Sequence, residues 1–179
     1  MTEQAVSRRY AKSLMSAAIA SNKVEEVYRD MNTILQTLRQ SPQLKAVLKN
    51  PVIRGTKKLN ILRGIFKPHV DPLTMSELEL LAKKSREELL YNVCENFNAL
   101  YFEQKNIVFG EVISAIALDR KILETLEAKF SAKLNKKVIF QTKVDSSIIG
   151  GLIINIEGKQ IDSSIKSQLQ KLKLQFIQK

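Results

Sequence analysis

Cys94 and His69 are the chain's single cysteine and single histidine. Far apart in sequence, they do not make a metal site of the usual kind, which gathers three or four such ligands. They read instead as a buried thiol and a surface imidazole. Glu87-Glu88 is an acidic pair that could suggest acid/base work, but it follows Ser85 at a helix start, where the helix dipole favours carboxylates. Gly150-Gly151 lacks the GxxxxGK[ST] context of a phosphate loop and precedes a strand pattern. There is no GxSxG elbow. The sequence assigns no catalytic residue, no metal ligand and no cofactor.

Charge is the next clue. The net charge is +11 over 179 residues. Such a balance suits acidic partners, nucleic acid or an anionic surface. The basic residues are scattered, never run beyond two together, and often neighbour acids, as in residues 83–88. Without aromatic interleaving, a basic helical RNA- or DNA-binding adaptor is the alternative reading and not the main one. No apolar run approaches the ~20 residues of a membrane helix. No apolar segment follows the first charges, so no signal peptide is expected.

The elements follow from periodicity. Apolar residues at helical spacing predict helices over 2–22, 24–40, 42–49, 56–66, 73–84 and 85–105, with Ser85 and Glu88 as a capping box for the last. The first is apolar over about half its circumference or more, beyond the ~100° arc of a helix packed on one side. Short connections predict one antiparallel six-helix bundle. Near Gln104 the period changes to alternation, placing a boundary between domains 1–105 and 106–179. The second is expected as a β-α-β-β-α unit: a strand over 107–118 with Gly110 as a bulge, a helix from Asp119 to Leu134 with Ile122, Leu126 and Phe130 inward, two further strands, and a final helix. The class is α+β, with a three-stranded sheet burying one face on both helices.

Residues 138–172 are the most informative stretch. Val138, Phe140, Thr142 and Val144 alternate along a strand, Asp145-Ser146-Ser147 turns, and Leu152, Ile154 and Ile156 alternate along the next. Glu157-Gly158-Lys159 turns again. Asp162, Ser163 and Ser164 offer helix-cap oxygens. Ile165, Leu169, Leu172 and Phe176 recur at helical spacing, predicting a stripe packed on the sheet.

The ordered set Val144, Asp145, Gly150-Gly151, Ile154, Ile156, Gly158, Ile161, Asp162, Ser164, Ile165, Leu169 and Leu172 resembles the C-terminal signature of the delta subunit of F-type ATP synthase, counterpart of the mitochondrial oligomycin-sensitivity-conferring protein. Arg9-Tyr10-Ala11-Lys12-Ser13-Leu14 is similar to its N-terminal opening. Lys159 and Ser163 depart from the pattern, both at turns. The resemblance implies a non-catalytic peripheral-stalk subunit in one copy per complex. It would lie at the cytoplasmic face of a bacterial inner membrane, reaching the membrane only through the complex. Its N-terminal domain would bind the α subunit N-terminus on the α3β3 head, using Tyr10, Ala11, Leu14, Met15 and Ala18 of the first helix with Leu78 and Leu81 of the fifth. Its C-terminal domain would bind stalk subunit b, with Lys166, Lys171 and Lys173 of the last helix as candidates.

Overall fold

Local chemistry sets where the helices begin. Ser41 Oγ accepts from the Leu44 amide, and Pro42, which has no amide to leave unpaired, opens a helix over Pro42–Lys49. Asp71 Oδ1 accepts from the Leu73 amide ahead of Pro72, opening Pro72–Lys83. In the computed structural model, which describes residues 2–177 and only the backbone of 175–177, the chain divides into two compact units, Met1–Phe102 and Glu103–Lys179.

The first unit holds α1 (Glu3–Ala20), α2 (Val24–Gln40), α3 (Pro42–Lys49), α4 (Gly55–Phe66), α5 (Pro72–Lys83) and most of α6 (Leu90–Gln104). All six helices contribute to one core, which includes Leu14, Val27, Ile34, Leu48, Phe66, Leu78, Val93 and Phe97. Truncating a core Leu to Ala removes about 2–5 kcal/mol through lost transfer and the cavity left behind. Polar ties fix the helix starts. Asp30 Oδ2 accepts from the Asp71 amide and from Thr74 Oγ1, while Lys23 Nζ meets Asp71 at 2.7 Å.

The expected capping box does not form. Ser85 takes left-handed backbone with φ 53°, and its amide and that of Arg86 bond back to Ala82 and Leu81, closing α5. Glu87 then opens a 3-10 turn, Glu87–Leu89. Its carboxylate is buried against Lys58 of α4, with Nζ 3.8 Å from Oε2 and also donating to the Leu48 carbonyl at 2.7 Å. Glu87 is a buried ion-pair partner and not a solvated helix-start acid.

The second unit holds β1 (Ile107–Ser114), α7 (Arg120–Leu134), β2 (Lys137–Val144), β3 (Leu152–Ile156), β4 (Lys159–Asp162) and α8 (Ile165–Ile177). The sheet order is β2-β1-β3-β4, with β1 and β2 parallel across the α7 crossover and the other pairs antiparallel. Val112, Val138, Phe140, Ile154 and Ile156 form one buried face, under Leu123, Leu126, Phe130 and Leu134 of α7. The Phe130 and Phe140 rings meet edge to face, centroids 5.4 Å apart. Helix α7 also closes one sheet edge: Ser131 Oγ accepts from the Val138 amide and Glu127 Oε1 from the Phe140 amide, both at 2.9 Å.

Five expectations are corrected here. The sheet has four strands, because Lys159–Asp162 returns alongside β3 before the last helix begins. Strand β1 ends at Ser114, and Ile122 of α7 is 49% exposed. Gly110 is no bulge, since the β1–β2 register runs through it. It makes room instead, because a Cβ there would lie 2.6 Å from the Phe140 ring. Lastly, α8 is not packed on the sheet: Ile165, Leu169 and Leu172 are 42%, 53% and 49% exposed. Helix α7 covers the sheet's buried face, and the start of α8 is held at the turn before β3. The Phe176 side chain lies outside the described residues.

Candidate functional site

Helix α1 is where the sequence reading meets its sharpest test. Ala11 and Ala18 are fully buried, and Leu14 and Met15 nearly so. From α5, Leu78 and Leu81 are each only 1% exposed. These six side chains are buried in the core of their own unit. The wide apolar arc of α1 is consumed largely by its own unit. Tyr10 is the one of the seven that reaches the surface, half-buried.

What remains open is a cleft of about 310 Å³ between α1 and α5, lined by Val6, Arg9, Tyr10, Ser13, Leu80 and Arg86. Its wall is amphipathic. Leu80 is 38% exposed, although it is apolar and mid-helix. Arg86 Nη1 donates to Tyr10 Oη at 3.3 Å, and the guanidinium lies 5.8 Å from the ring centroid. Sequence reasoning missed Leu80 because it followed the buried stripe. Leu80 lies about 100° round the helix from Leu81, at its margin. An apolar residue at the margin of a core stripe was the available signal.

In the second unit the turn residues build a joint. Asp145 Oδ1 accepts from the Ser147 amide at 2.9 Å. Gly151 takes φ +76°, and a Cβ there would lie 2.3 Å from the Ser163 carbonyl oxygen. The Gly150 carbonyl accepts from the Ile165 amide, and a Cβ on Gly150 would meet Ile165 Cδ1 at 2.7 Å. Asp162 accepts from Ser167 Oγ at 2.5 Å and from the Ser164 amide at 2.8 Å, while Ser164 Oγ caps Ser167. Those hydrogen bonds, led by Ser167, hold the Asp162 carboxyl down at about 2. The glycine pair and the Asp-Ser-Ser run thus fasten the start of α8 to the turn before β3. Beyond that joint α8 stands open, with Lys166, Lys171 and Lys173 exposed beside Ile165, Leu169, Leu172 and Leu174.

Among the described residues no arrangement resembles a reaction centre. The Cys94 thiol is fully buried and pushed well above its usual range by desolvation, which disfavours the nucleophilic thiolate. Among the described residues no three His, Cys, Asp or Glu side chains gather to hold a metal. Burial raises Glu77 of α5 to about 7, and its Oε1 has no hydrogen-bond partner among the described residues.

The chain was compared with known proteins. Residues 6–176 match the family described as the ATP synthase delta (OSCP) subunit. The ATP synthase subunit delta of Lactobacillus gasseri is 35% identical over 179 residues, covering 99% of this chain and 98% of that protein. That of Chlorobaculum tepidum is 36% identical over 173 residues, covering 97% and 96%. A chain of the Toxoplasma gondii mitochondrial ATP synthase hexamer superimposes with a TM-score of 0.70 over 99% of this chain and 98% of that one. At 20% identity it speaks to the mixed helix-and-sheet fold.

Proposed function

This chain belongs to the ATP synthase delta (OSCP) subunit family and is a non-catalytic stator subunit of the F-type ATP synthase; from that premise we propose that it ties the α subunit N-terminus on the α3β3 head to stalk subunit b. The subunit makes and breaks no covalent bond. Its work is mechanical: it holds the head against the torque of the central shaft, so that rotation changes the catalytic sites and does not merely turn the head. Among the described residues no helix is long and apolar enough to cross a membrane. The subunit would be held at the cytoplasmic face of the bacterial inner membrane through its partners, one copy per complex.

The observation that carries the N-terminal half of this reading is the α1–α5 cleft. An amphipathic helix from α would lay its apolar face on Val6, Tyr10 and Leu80 and place acidic residues near Arg9 and Arg86. The test is calorimetric titration of a synthetic α N-terminal peptide into the full chain. Leu80→Asp should weaken binding at least tenfold with the helices intact. Unchanged affinity would remove the cleft as the α site. Ala18→Arg does not serve, because that residue is fully buried and the variant reports unfolding.

For the C-terminal half, the exposed stripe of α8 and its lysines support b as the partner. The apolar residues would supply most of the affinity. Lys166, Lys171 and Lys173 would steer acidic stretches of b and set the salt dependence.

A further inference from the structure

Between Asp30 and Asp71 the chain has no acidic residue, yet it carries Arg39, Lys45, Lys49, Arg54, Lys57, Lys58, Arg63 and Lys67. Half of these are used internally. Arg39 meets Glu95, Lys58 meets Glu87, Arg63 meets Glu79, and Lys45 Nζ lies 3.7 Å above the Tyr91 ring. Lys49, Arg54, Lys57 and Lys67 are exposed and form no ion pair among the described residues. Arg54 and Lys57 lie at the start of α4, which also carries an apolar ridge. Ile61 and Ile65, one turn apart on α4, are each 38% exposed, and Val52 just before the helix is 85% exposed. Gly64 sits between the two isoleucines in sequence, and a Cβ added there would meet nothing within 4 Å. Glycine inside a helix weakens it relative to alanine, and nothing within this unit requires a glycine at that position.

We propose that this outer face of α4 is a second docking surface of the N-terminal unit, occupied by an acidic amphipathic helix of the synthase. The proposal rests on the stator reading and uses none of the residues of the α1–α5 cleft. The positive field selects an acidic partner. The isoleucine pair with a bare notch suits a helix, whose side-chain ridges need grooves and whose close approach needs small residues. The described face has no aromatic side chain on which nucleic-acid bases could stack.

The test measures rebinding of the full chain to synthase stripped of this subunit, across a salt series, with phosphatidylglycerol-rich vesicles in parallel. Two variants separate folding from docking. Gly64→Leu fills the notch with a better helix former, so the isolated protein should melt higher while rebinding weakens at least fivefold. Arg54→Glu combined with Lys57→Glu should weaken rebinding about tenfold and flatten its salt dependence, while the affinity for the α N-terminal peptide stays that of the parent. Parent-like rebinding by both variants would overturn the proposal. So would losses seen on vesicles and absent on the synthase. A parent chain that fails to rebind at all would overturn the stator reading itself, and the ridge with it.

Discussion

Helices α1 and α8 carry the same kind of apolar periodicity and meet opposite fates. On α1, Ala11, Leu14, Met15 and Ala18 vanish into a core shared by six helices. On α8, Ile165, Leu169, Leu172 and Leu174 stay 42–55% exposed, and the buried sheet face is covered by α7 instead. Periodicity therefore tells which residues seek burial and not what will cover them. In the N-terminal unit the open apolar surface is a cleft at the edge of the core and the exposed side of α4. In the C-terminal unit it is the described part of α8, fastened at its start. A cleft beside a packed core in one unit and an open helix in the other suit a peripheral-stalk subunit.

The largest effect should come from treating the two helices alike. Ala18→Arg buries an unpaired charge and should destabilise the N-terminal unit by more than about 4 kcal/mol. Leu172→Asp, on an equally apolar stripe, should change stability by about 0.5 kcal/mol or less. Hydrogen exchange read separately over the two units checks this. Comparable loss of protection from both would erase the distinction.

Next in size is the joint that holds α8. Gly151→Ala adds a Cβ against the Ser163 carbonyl oxygen at positive φ. It should weaken the C-terminal unit on the order of 2–3 kcal/mol. The readout is loss of amide protection over residues 159–168, with α1 to α5 unaffected. Parent-like protection there would show that the glycine pair does not fasten the helix.

A smaller, pH-dependent effect belongs to the N-terminal unit. Burial raises Glu77 to about 7. The folded protein therefore holds a proton that the unfolded chain releases near pH 4–5. Its contribution is most favourable below that range and is lost as pH rises towards 7. Glu77→Gln should leave stability at pH 5 nearly unchanged and raise it at pH 8 by roughly 2 kcal/mol. A parallel shift at both pH values in denaturant melts would show that the residue's environment is not the cause.

The smallest stability effect concerns the lysines of α8. Reversing Lys166, Lys171 and Lys173 to Glu should leave the fold intact, since exposed substitutions change stability by about 0.5 kcal/mol or less each. Association with b should weaken, most at low salt. Unchanged binding at low ionic strength would leave the apolar stripe alone as the anchor.

These contrasts also mark what sequence makes legible. Helix positions, the change of period near Gln104 and the cap chemistry at Asp162 and Ser164 were readable, because each depends on residues close in the chain. Strand β4 was missed because Lys159–Asp162 is short and wholly exposed, with little alternation to detect. The Lys58–Glu87 pair was missed because its members are brought together by packing across 29 positions. The cleft residues Arg9, Leu80 and Arg86 were missed for a related reason: packing brings them together from α1, α5 and the turn that follows α5. Tyr10 alone was in both sets.

The central claim is mechanical coupling, and proton-driven ATP synthesis in inverted membrane vesicles stripped of this subunit tests it directly. The parent chain should restore synthesis. A chain carrying Leu80→Asp and Leu172→Asp, folded but weakened at both grips, should restore little, while ATP hydrolysis by the head continues unchanged. Full restoration by that variant would contradict the account.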